Sequence, residues 1–218
     1  MFIGGFYGAF TYTVRGGVFC NAQTANFVLM SIALGNAQFL SAAYYLIPMS
    51  AYFLGSVISE AVPNRIRKTQ FMRWDTFLIA LEILTVILLG FIPESWPFQI
   101  TQIAVNFICA MQYNTFRMAR GIPMATVFCT NHVRQLGINF VRCLRHGFSG
   151  KDRSRLIIHG TMLICFTAGA VLAAVLGRIF QGRTIWFAAI PLLIVFSDLL
   201  HADLKAEKEE FSIIPHGH

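Results

Sequence analysis

From Met1 to Ser59 the chain carries a single charged residue, Arg15. A water-soluble domain needs polar surface over such a length. Soluble domains run at about 25% charged residues, against 12% for this whole chain. Uncharged apolar runs recur over residues 95–116 and, His159 aside, 156–177. Each is long enough to cross a hydrocarbon core of ~30 Å as a helix. The pattern predicts an all-α integral membrane protein. Its 218 residues leave room for roughly six spans with short loops and none for a separate soluble domain.

The apolar blocks predict spans at 2–14, 41–59, 74–92, 98–118, 156–177 and 184–200. Two weaker segments, 18–34 and 122–141, follow breaks at Arg15-Gly16-Gly17 and Arg120-Gly121. The layout therefore repeats: residues 1–95 and 96–200 each read span, Arg-Gly break, weak segment, span, loop, span. Val18-Phe19-Cys20 is echoed by Val127-Phe128-Cys129, and Thr24 by Thr130 with a three-residue slip. Basic loops at 60–73 and 142–155 belong in the cytoplasm by the positive-inside rule. They flank corresponding spans in opposite senses, which predicts two inverted three-helix repeats. Eight full crossings would force one basic loop outside, so each weak segment is read as a broken or re-entrant helix. The expectation is a multi-pass cell-membrane protein, both termini cytoplasmic, with a charged cytoplasmic tail at 201–218. The start, MFIGGFYGAF, lacks the basic n-region of a secretory signal and reads as the first span.

The net charge of +7 sits between apolar runs, so it reads as topology signal and contact with anionic lipid rather than nucleic-acid binding. Five scattered cysteines without a C-x-x-C pair read as packing residues. Small residues every fourth position (Ala51, Gly55, Ser59; Gly169, Ala173, Gly177) read as close helix contacts within the chain or across a homodimer.

The polar residues in these greasy surroundings are the candidate site. Asn21, Gln23, Thr24 and Asn26 follow the first break; Thr130, Asn131 and His132 follow the second, with Gln112 and Asn114 just before it. Amides and hydroxyls in lipid need partners, so these groups either cap broken helices or line one polar cavity at mid-depth. Arg15, at the first break, is a candidate contact for an anionic solute or for loose carbonyls. Glu82 is the acid deep inside a span; an ionised carboxylate there is costly and marks a functional or paired position by default. It is the candidate proton-coupling group.

The ordered set Gly5-Phe6-Tyr7-Gly8-Ala9, Gly16-Gly17-Val18-Phe19 and Thr24-Ala25-Asn26 resembles the YoaK family of bacterial membrane proteins. Gln112 with Asn114, and Thr130-Asn131, match that family's second-half motifs loosely. Gly8 stands where the family usually has an acid, Ala25 and Asn131 where it has glycine, and Tyr113 splits its Gln-Asn pair. The resemblance implies six spans and a transport role without an established substrate.

No H-E-x-x-H, G-x-S-x-G, P-loop or G-x-G-x-x-G occurs, and the histidines show no metal-ligand spacing. The reading is a non-enzymatic carrier or channel for a small polar or anionic solute, proton-coupled through Glu82, with no cofactor and no metal. A non-catalytic scaffold or receptor subunit is the alternative. An intramembrane lipid enzyme using Glu82 with His132 or His159 is the weakest.

Overall fold

A computed structural model describes residues 1–63, 73–119, 122–148 and 150–205. In chain order it contains α1 (Phe2–Thr13), α2 (Gln23–Gly35), α3 (Phe39–Ala61), α4 (Trp74–Gly90) and α5 (Phe98–Thr115). Then come two-residue strands β1 (Met118–Ala119) and β2 (Ile122–Pro123), α6 (Thr130–His146), α7 (Gly150–Phe180), a 3-10 segment (Gln181–Ala188) and α8 (Ala189–Lys205). The strands pair antiparallel, Met118 opposite Pro123.

Among the described residues two stretches are long and apolar enough to cross a membrane: α3, with mean hydropathy 1.3, and the run from Gly150 to Asp203, with 2.1. That run folds back on itself. Gln181 takes φ of 49° and Gly182 lies against Arg15, yet Met162 of α7 and Leu192 of α8 wall the same cavity. The outer faces of these helices are greasy: Leu40, Phe53, Ile164, Val171 and Ile194 are all exposed. Asn26, Glu82, Gln102, Asn106 and His132 are fully buried. Apolar exterior on this scale marks a surface that faces something other than water.

Packing is reciprocal. α1 lies on α7 and α5 lies on α3, while α2 packs on α3, α6 on α7, and α4 on α8. Glycines set the closest approaches, because a Cβ on Gly5 or Gly169 would meet the Phe166 or Phe2 carbonyl, and one on Gly55 would meet the Phe107 carbonyl. Both small-residue stripes are thus used within the chain. Contacts also fix helix sense. Phe2 meets Gly169 and Val14 meets Gly177, so α1 and α7 run parallel. Tyr44 meets Gln102 and Ser59 meets Asn114, so α3 and α5 run parallel too. α4 and α8 are antiparallel, Thr76 Oγ1 donating to Asp203 at one end and Trp186 Nε1 to the Ile87 carbonyl at the other.

The first break is built as its glycines require. Gly16 and Gly17 have φ of +83° and +75°, a region open to glycine, and the Gly17 N–H closes α1 by donating to the Tyr12 carbonyl. The chain then doubles back beside α1. Cys20 N–H donates to Thr11 Oγ1, and Asn21 Nδ2 donates to the Gly4 carbonyl. The segment 18–34 is therefore irregular backbone that doubles back beside α1 and leads into α2, not one continuous helix.

Other expectations change. Arg142 and Arg145 lie in α6, and Lys151, Arg153 and Arg155 in the first turns of α7, so most of the expected 142–155 loop is helix ends. The final helix continues through Lys205, past the tail boundary expected at 201. Asp203 is tied to α4 through Thr76 and Arg73. Arg65, Arg67 and Lys68, the Arg120-Gly121 break and most of the tail lie outside the described residues.

Candidate functional site

The two broken segments meet. Asn21, buried beside α1, donates from Nδ2 to the carbonyls of Gly4 and Val127, each at 2.8 Å. The same amide occupies the space above Gly8, where any side chain would collide with it.

Each segment is closed by a side chain reaching seven residues back. In the first, Asn26 accepts from the Phe19 N–H at 3.0 Å and donates to the Phe19 carbonyl at 2.6 Å. In the second, His132 Nε2 bonds the Ala125 carbonyl at 2.7 Å. A carbonyl only accepts, so Nε2 carries the proton and the neutral ring's Nδ1 is an acceptor. It receives His159 Nδ1–H at 2.9 Å. The two imidazoles are buried together, although the sequence reads each as isolated.

The remaining amides form a chain along α5. Gln23 Nε2 donates to Asn106 Oδ1 at 2.9 Å, and Asn106 Nδ2 to the Gln102 carbonyl at 2.8 Å. Gln102 Nε2 reaches the Arg15 carbonyl at 2.5 Å and Tyr44 Oη at 2.6 Å. Sequence reading missed Gln102 and Asn106, though an i, i+4 amide pair inside an apolar run was a visible signal. Other expected members lie elsewhere. Thr24 and Thr130 are exposed near the starts of α2 and α6. Asn131 accepts from Arg134, and Asn114 donates to Ser56 and Ser59 of α3. They do not join the cluster.

Arg15 is 1% exposed, its Nη1 donating to Glu94 Oε2 at 3.1 Å. Glu94 Oε1 accepts from the Gly182 N–H at 2.7 Å, so one carboxylate ties the first break to the turn between α7 and α8. Nε and Nη2 of Arg15 have no hydrogen-bond partner among the described residues. Glu94 lines an outer depression of about 720 Å³ with Phe91, Arg183 and Trp186.

Glu82 is fully buried, at the centre of the α4 stripe that also buries Leu78, Ile79, Val86 and Leu89. The Tyr7 hydroxyl lies beside its carboxyl. Apart from that neighbour, neither carboxyl oxygen nor the phenol has a hydrogen-bond partner among the described residues. One turn before it, Ile79 lines a second cavity of about 340 Å³, which Gln112 and Thr126 also line. The outer depression touches α4 at Gly90. The two cavities thus reach α4 about 16 Å apart along its axis, with Glu82 between them. No cluster of His, Cys, Asp and Glu able to hold a metal occurs among the described residues.

These features define a helical protein with apolar exterior helices and two irregular segments joined through a buried polar core. The chain belongs to the family described as "Protein of unknown function (DUF1275)", whose model matches residues 1–197, and into which the YoaK proteins fall. No curated protein and no solved structure matched it.

Proposed function

We propose that the protein is a secondary carrier for a small polar solute, crossing the bilayer six times as two inverted three-helix repeats. The observation that carries this reading is Glu82, a fully buried carboxyl beside the Tyr7 hydroxyl, lying between two cavities at separate levels of α4. Helix sense supports inversion: the parallel pairs α1/α7 and α3/α5, with α4 opposed to α8, give one half the reverse sequence of directions of the other. Re-entrant segments that meet at the repeat interface are the usual device for placing irregular backbone at membrane depth. In the proposed cycle Glu82 exchanges its proton alternately with either cavity, and the Arg15–Glu94–Gly182 tie closes the outer route.

A scaffold also accounts for the amides that satisfy one another. It leaves unexplained why a carboxyl, costly in such a place, stands there with a phenol beside it and no cation among its described side-chain neighbours. Arg15 is engaged by Glu94, which favours an uncharged solute over an anionic one.

The test is flux into liposomes reconstituted with purified protein, over a panel of radiolabelled metabolites with and without a pH gradient. Glu82→Gln keeps size and polarity but holds no exchangeable charge. It is expected to lose gradient-driven accumulation at least tenfold while remaining folded. A folded Glu82→Gln protein that moves every transported solute at the wild-type rate overturns the assignment.

A further inference from the structure

The inner cavity carries more information than its position. Four of the chain's eight methionines, Met1, Met118, Met124 and Met162, line it, and among the described residues its walls contain no charged side chain. Thioether side chains are flexible and polarisable, and surfaces rich in them accept varied apolar shapes. Against that soft wall stand two polar atoms, Gln112 Oε1 and Thr126 Oγ1. Both are buried and without a hydrogen-bond partner among the described residues, and Gln112 is only 7% exposed. Gln112 Oε1 only accepts, whereas a threonine hydroxyl donates and accepts. An ion would leave its hydration behind, with the desolvated Met1 amino group alone among the described wall residues to offset it. At about 340 Å³ the cavity falls at the small end of ligand-pocket volumes.

Resting on the carrier reading, we propose that this cavity is the inward-facing solute site and takes a neutral, largely apolar molecule bearing one hydroxyl or primary amide. Its polar group donates to Gln112 Oε1 and exchanges a hydrogen bond with Thr126 Oγ1, while its apolar body lies among the methionines. Specificity comes from the two polar atoms, and breadth from the sulfur-lined wall.

The test needs no flux. Full-length protein in lipid nanodiscs, labelled with 13C-methyl methionine, is titrated with benzyl alcohol, phenylacetamide, phenylacetate and benzylamine, which share one apolar body. The alcohol and the amide are expected to shift the methyl resonances of Met1, Met118, Met124 and Met162, leaving Met30, Met49 and Met111 in place, with the acid and the amine binding at least tenfold more weakly. Gln112→Leu and Thr126→Val each remove one polar atom at similar size and are expected to weaken amide binding about three- to tenfold. Equal shifts from all four probes, shifts spread over every methionine, or unchanged affinity in both folded variants would overturn the proposal. So would a response to silver(I) alone, since thioethers also suit soft cations. The two readings fail separately. Saturable binding without transport of any bound probe removes the carrier and keeps the site; transport of charged solutes with silent cavity methionines does the reverse.

Discussion

The Asn21 side-chain amide donates a hydrogen bond of 2.8 Å to the carbonyl of Val127, 106 residues further along the chain. The same offset relates Asn26 to His132, the two residues that close their segments onto Phe19 and Ala125. In the proposed repeat Asn21 and Val127 occupy corresponding places, and the bond between them joins the two irregular segments. Replacing Asn21 by Leu removes the donor and leaves the Gly4 and Val127 carbonyls without it. The expected loss is about 2–3 kcal/mol, read as a lowered unfolding midpoint in nanodiscs. A midpoint equal to wild type would mean the segments are held by something else.

Because Asn26 closes its segment onto Phe19 as His132 closes the other onto Ala125, His132→Asn is expected to retain more stability than His132→Ala. The asparagine keeps a donor for the Ala125 carbonyl, whereas alanine strands both that carbonyl and His159 Nδ1–H. The two imidazoles should also couple: a double-mutant cycle over His132→Ala and His159→Ala is expected to show roughly 0.5–3 kcal/mol of interaction. Strict additivity would show that the 2.9 Å contact contributes nothing.

Glycine substitutions separate contact from propensity. A methyl group on Gly5 meets the Phe166 backbone, which cannot swing aside as a side chain can. Gly5→Ala should cost about 1–3 kcal/mol by forcing α1 from α7. Gly137, mid-way along α6, has nothing within 4 Å of an added Cβ, so Gly137→Ala should stabilise by about 0.5–1 kcal/mol. Thermal unfolding of both variants reads the contrast, and the same sign for both would refute the packing described.

Removing the charge at Glu94 should hurt more than removing Arg15. Glu94→Gln keeps an acceptor for the Gly182 N–H but leaves a buried guanidinium without its counter-charge. Glu94 has a 47% exposed side chain, so after Arg15→Met its carboxylate can still be hydrated. The expected difference is about 1–3 kcal/mol in the unfolding free energy of the two variants, and the reverse order would place the guanidinium in water.

Much of this was legible in the sequence. The charge-free opening and the Arg15-Gly16-Gly17 break predict the apolar helices and the interrupted backbone, since the cost of unbonded peptide groups and the conformational freedom of glycine are local properties. What escaped are pairings set by tertiary packing. His132 and His159 stand 27 residues apart, and Arg15 meets Glu94 across 79; nothing in the periodicity of either segment announces its partner. Thr24 and Thr130 were expected in the cluster because they sit in polar stretches. Their positions at helix starts turn them outward, and Gln102 and Asn106 of α5 face the first break instead.

The central claim is that the inner cavity and the outer depression open to opposite sides of the membrane. Single cysteines at Thr126 and Arg183, probed with a membrane-impermeant maleimide in right-side-out and inverted vesicles, test it without any knowledge of the solute. Thr126→Cys is expected to react only in inverted vesicles and Arg183→Cys only in right-side-out ones. Labelling of both from the same side would contradict the account.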